Sequence, residues 1–135
     1  DEKIITDNEF RATTFAQHYR TISEFREPLD NENSSVYKSG LRLISCTTKL
    51  TDCPYKINYQ NNRNKISNGN YASNLIPTMR SWSETVFRTA LIGRKAKEID
   101  EIVNIFYSRY EKEISENPDG HAMDYIHVIM EIEKV

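Results

Sequence analysis

Only two stretches of this chain have the composition of β-strands, and that scarcity limits what it can fold into. VYKSGLRLISCTTKL (36–50) carries β-branched and apolar residues around Gly40 and is expected to form one strand, bulged or bent at the glycine. DYIHVIMEIEKV (124–135) alternates Ile126, Val128, Met130 and Ile132 against His127, Glu131 and Glu133, the period-two pattern of a half-buried strand. Two strands make a poor sheet by themselves. Their apolar residues therefore call for neighbours that this sequence does not offer as further strands.

Helical signals fill much of the remainder. Thr6 and Glu9 have the spacing of a capping box, as do Thr21 and Glu24, so helices are expected to start near Asp7 and Ile22. The second should be short, because Pro28 ends or kinks it. DNENSS (30–35) reads as a polar loop. TDCPYKINYQNNRNKISNGNYAS (51–73) is rich in asparagine and turn residues and reads as a long mobile connection. A helix is expected over 77–92, with Pro77 in its first turn and Gly93 as its stop. On it Leu75, Met79, Trp82, Val86 and Ala90 form a stripe, with Arg80, Glu84 and Arg88 on the other side. The clearest 3.6-residue period lies in AKEIDEIVNIFYSRYEKEISE (96–116), where Ile99, Ile102, Val103, Phe106, Tyr110 and Ile114 share a face. NPDG (117–120) breaks it. The order of elements predicts a mixed α/β piece without internal repeats.

Composition narrows the chemistry. A chain of 135 residues is long enough for one core. A net charge of −2 argues against nucleic acid as a partner, since a binder normally carries a basic stripe. No apolar run is long enough to span a bilayer, and the expected location is cytoplasmic. Cys46 and Cys53 can form a disulfide, but reduced thiols are the simpler expectation. The chain begins at Asp1 without an initiator Met, and residues 1–135 are expected to be one unit, a fragment of a longer protein.

Candidate chemistry is sparse. Gly40, Gly69, Gly93 and Gly120 are isolated, so no phosphate- or nucleoside-cradling fingerprint is present. His121 and His127 flank Asp124 and Tyr125, but neighbouring strand residues point to opposite faces, and no nucleophile motif accompanies them. His18 reads as a surface histidine. The carboxylates Glu98, Asp100, Glu101, Glu111, Glu113 and Glu116 interleave with Lys95, Lys97, Arg109 and Lys112 at helical spacing, as on a solvated face. No catalytic or metal-binding residue is predicted. Tyr19, Met79, Trp82 and Tyr125 remain, as core or as the wall of a pocket.

Taken in order, the segments resemble the C-terminal part of the salicylate/benzoate/theobromine (SABATH) family of carboxyl methyltransferases, which use S-adenosylmethionine. The likeness runs through KIITDNEFRATTFAQHYRTISEFREPL, SGLRLISCTTK, TMRSWSETVFRTALIG, IDEIVNIFYSRYEKEISENP and DYIHVIMEIEKV. Thr85 stands where the family has a proline after the glutamate, and Trp82 replaces a small aliphatic residue. The resemblance implies a C-terminal portion of a Rossmann-like methyltransferase fold, made of helical cap elements and the last strands of the sheet. It also implies that the cofactor is bound mainly by an N-terminal half, so that this piece would be inactive alone. Tyr19, Met79 and Tyr125 would line a pocket for a small-molecule carboxylate, and Trp82, one turn from Met79, joins them on geometry. Carboxylate methylation needs positioning and exclusion of water rather than a general base, because the nucleophile is already ionised. Implied partners are the substrate, the N-terminal half and a second copy. The alternative is a non-catalytic interaction or dimerisation module derived from that fold. A weaker one is a stand-alone enzyme using His127 and Asp124.

Overall fold

The computed structural model describes residues 4–135; Lys3, at the head of the first family-like segment, lies outside them. In chain order the elements are α1 (Asp7–Ala12), α2 (Ile22–Asp30), α3 (Ser35–Lys38), β1 (Leu41–Thr51), α4 (Pro54–Asn61), α5 (Asn68–Ala90), α6 (Ala96–Glu116), a 3-10 turn (Pro118–Gly120) and β2 (Tyr125–Lys134). The architecture is mixed α/β. The chain divides into a helical unit, residues 1–16 with 53–123, and a strand-bearing unit, residues 17–52 with 124–135.

The helical unit is built on the pairing of α5 with α6. Its core holds Tyr59, Tyr71, Leu75, Val103, Tyr107 and Ile114 among others. Burying tyrosines requires partners for their hydroxyls. Tyr71 donates to the His121 carbonyl at 2.6 Å, Tyr59 to Asn68 Oδ1 at 2.7 Å, and Tyr107 lies 2.7 Å from Ser83 Oγ. On the outer side Glu84 is held by Arg80 and, at 2.5 Å, by Arg88, while Arg88 reaches Asp100 of α6 at 2.7 Å and Arg80 reaches Asn104 at 2.9 Å. That ladder fastens α5 to α6. The Arg–Glu–Arg row noted in the sequence is accounted for by it.

The long mobile connection expected over 51–73 is not there. Pro54 opens α4 at a position where its missing N–H costs nothing. Ser67 then caps α5, its Oγ accepting the Asn70 N–H at 3.1 Å. What holds these asparagine-rich residues in helices is burial of the tyrosines between them. The Tyr59 and Tyr71 rings stack at 4.7 Å. Helix α5 accordingly begins nine residues before Pro77, which sits inside it rather than in its first turn. Gly93 is not a left-handed cap either: the helix ends at Ala90, and Gly40 alone has positive φ among the described residues.

In the strand-bearing unit β1 and β2 pair antiparallel, Leu50 opposite Ile126 and Leu41 opposite Lys134. Both helix starts follow their capping boxes: Thr21 Oγ1 accepts the Glu24 N–H, and Glu24 Oε2 accepts the Thr21 N–H at 2.6 Å. Pro28 does not stop α2, which runs two residues further and buries Leu29. Ser34 donates to the Pro28 carbonyl and caps α3, a short helix where loop and strand were expected. Gly40 therefore stands at the entrance of β1, with φ +88°, and not inside a strand. Its carbonyl accepts the Val135 N–H at 2.9 Å, closing that end of the two-stranded sheet. The bulge falls between Leu43 and Ser45. Met130, Val128 and Cys46 are half-buried, whereas Ile126 is 74% exposed. Both cysteines are thiols, Cys46 on β1 and Cys53 in the core of the helical unit. No helix among the described residues is long and apolar enough to cross a membrane.

Candidate functional site

One concavity is formed by the helical unit alone. It is a half-open cavity of about 580 Å³, walled by the segment through α1 on one side and by the facing parts of α5 and α6 on the other. Phe87 comes from α5, Leu91 from its C-terminal cap, and Ile102, Val103, Phe106 and Arg109 from successive turns of α6. Ile5, Phe10 and Phe15 close it from the α1 side. The aromatic rings touch in series: Phe15 lies 5.7 Å from Phe87, and Phe87 lies 4.5 Å from Phe106. Such contacts fix ring orientation beyond simple burial.

The α1 wall is held differently from the others. No residue of α1 is buried, and Phe10 is 70% exposed. Its anchor is Arg94, which grips both oxygens of Glu9 at 2.5 and 2.7 Å and also donates to the Ile4 carbonyl at 3.3 Å. Glu9 meanwhile completes the Thr6 capping box, accepting the Thr6 N–H at 2.7 Å. The Arg94 guanidinium and the Thr6 donors lower the Glu9 pKa from its ordinary 4.5 to about 2. One carboxylate thus both starts the helix and ties it down.

The four residues predicted to line a pocket divide between the units. Met79 and Trp82 lie on α5; the Met79 carbonyl accepts from Ser83 Oγ at 2.6 Å, and the Trp82 ring packs 5.5 Å from Phe15. Trp82 is thus a neighbour of the cavity, while the cavity wall itself is made of other residues. Tyr19 and Tyr125 belong to the strand-bearing unit. Tyr19 is 85% exposed and donates to Gln17 at 2.7 Å, and Tyr125 opens β2, its ring 6.1 Å from that of His127. The sequence reading missed Phe15, Phe87, Leu91 and Arg109. It did place Ile102, Val103 and Phe106 on one apolar face, and Phe10 and Phe15 were visible as lone aromatics in a polar segment.

The histidines are placed as follows. His127 stands directly opposite Lys49 in the strand pair, His18 lies 3.2 Å from Glu24 on the surface, and His121 Nδ1 lies 3.5 Å from the Tyr110 hydroxyl. Among the described residues no group of three or more His, Cys, Asp or Glu is arranged to hold a metal. No family model, curated protein or solved structure matches the chain.

Proposed function

We propose that the chain is the C-terminal, substrate-capping part of an S-adenosylmethionine-dependent methyltransferase acting on a small-molecule carboxylate. In this reading the helical unit is the cap, and β1 and β2 are the last strands of a Rossmann-like sheet. The observation that carries it is the cavity: a large half-open space with walls of aliphatic and aromatic side chains. A carboxylate acceptor is ionised at neutral pH, so its site has to hold the body of the molecule in place and keep water out. Walls of this kind do both.

The described residues do not fit the cofactor. Gly40 closes one end of the two-stranded sheet, Gly69 lies in the first turn of α5, and Gly93 and Gly120 stand singly, so no glycine-lined loop wraps an adenosyl group. The proposal therefore assigns S-adenosylmethionine to an N-terminal half and gives this chain the acceptor side only. Apolar residues exposed on the β1–β2 pair, Leu50 and Ile126 among them, agree with strands destined for a larger sheet, where both faces are covered. The same exposed face favours the second reading, a non-catalytic interaction or dimerisation module.

The test is to purify the protein at the length its cell makes and measure its intact mass. It is then incubated with methyl-labelled S-adenosylmethionine and a panel of carboxylic acids. A longer chain that transfers label to an extractable ester supports the proposal. A native chain that starts at Asp1, or a longer one that labels no acid, overturns it in favour of the module.

A further inference from the structure

We infer that the cavity is the seat of a long hydrocarbon body, so that the acid recognised has about ten or more carbons and is not a single-ring acid; as a statement about the acceptor, this rests on the function proposed above. The argument begins with size. An apolar cavity of about 150 Å³ is enough to hold benzene, and the cavity here is about 580 Å³. One ring would leave most of that space to water or void, which a wall of this composition tolerates poorly. Cavities of roughly 300–1,000 Å³ suit ligands of many heavy atoms.

Shape and chemistry point the same way. The Phe15, Phe87 and Phe106 rings follow one another along the wall at centroid separations of 5.7 and 4.5 Å, which makes an extended apolar surface and not a slot for one flat ring. Polar side chains enter the lining at Thr6, Asp7, Thr13 and Arg109 only. A chain can lie along the rings with its single charged end turned to the threonine hydroxyls, to Arg109 or to the open side, and away from Asp7. The α1 wall suits a flexible guest as well. It buries no residue of its own, so a guest can lie against it without displacing the core of α5 and α6.

The experiment is calorimetric titration of the chain with sodium decanoate and, separately, sodium benzoate, in the absence of S-adenosylmethionine. Decanoate is expected to saturate one site at least tenfold more tightly than benzoate. Ile105→Glu places a charge on the cavity wall at a half-exposed position of α6, and Phe10→Glu does so on the α1 wall; both should weaken decanoate at least tenfold. Ile92→Glu, at an exposed apolar residue outside the lining, should leave binding unchanged. Thermal unfolding of each variant shows that it is folded, and having two wall variants keeps the test decisive if one is not. Benzoate binding as tightly as decanoate, no saturable decanoate binding, or decanoate binding indifferent to both wall variants would each overturn the inference. Because no cofactor is used, the two claims fail separately. Methyl transfer to benzoate without decanoate binding leaves the enzyme reading intact, and decanoate binding without methyl transfer to any acid leaves the site intact.

Discussion

Gly40 and Gly93 look alike in the sequence, yet the structure gives them opposite tolerances. Gly40 has φ +88°, and a Cβ built on it would lie 2.6 Å from the Val135 carbonyl oxygen. A left-handed conformation costs an L-residue about 1–2 kcal/mol, and the clash with backbone adds to that, so Gly40→Ala should destabilise by more than about 2 kcal/mol in urea unfolding. Gly93 has open space around it and an ordinary φ. Gly93→Ala should be neutral or stabilising by about 0.4–1 kcal/mol. Equal losses from the two would contradict the closure of the strand pair described for Gly40. Glu9 gives a pH signature at the same scale. Its carboxyl titrates near 4.5 when unfolded and near 2 when folded. The folded state therefore gains from it fully above about pH 4.5, and the gain drains away as pH falls toward 2. Thermal unfolding followed from pH 5 to 2 should show Glu9→Gln losing less stability over that interval than the natural chain does. Parallel curves would mean that Arg94 is not the anchor of α1.

Elements were legible where their cause is local. The period of α6 runs unbroken from Ala96 to Glu116, and its bounds follow from the sequence; the capping boxes at Thr6 and Thr21 likewise mark the true starts of α1 and α2. Residues 54–73 were not legible, because what folds them is tertiary. Asparagine and tyrosine have modest helix propensity, and the Pro54 and Ser67 starts are completed by the approach of the Tyr59 and Tyr71 rings. The cavity was hidden in the same way. Its α6 face could be read from periodicity, but the opposing wall arrives through Glu9 and Arg94, far apart in the chain, and no local pattern announces that pairing. Two substitutions follow for α5. Ser67→Ala removes the oxygen that accepts the Asn70 N–H and should cost about 1 kcal/mol. Leu75→Ala, in the middle of the core, should cost about 2–5 kcal/mol. A Ser67→Ala protein indistinguishable from the natural one would mean that α5 starts later, nearer Pro77.

For the molecule as a whole the two-stranded sheet sets the terms. Leu50 and Ile126 face each other across β1 and β2 and are 59% and 74% exposed, with Ile132 further along the same face also open. Apolar residues gathered on one face of a two-stranded sheet, with unpaired edges beside them, invite another surface to cover them. For this chain in isolation that surface is a second copy. Sedimentation at rising concentration should therefore show reversible self-association. Ile126→Lys should weaken it at least tenfold, since a lysine on a strand face opposes both apolar contact and edge pairing. The same substitution should change stability by no more than about 0.5 kcal/mol, because the side chain it replaces is mostly in water already. A chain that stays monomeric at every concentration, and unfolds in one sharp transition, would show the two-stranded sheet to be complete as it stands. That outcome would remove the main support for treating β1 and β2 as part of a larger sheet.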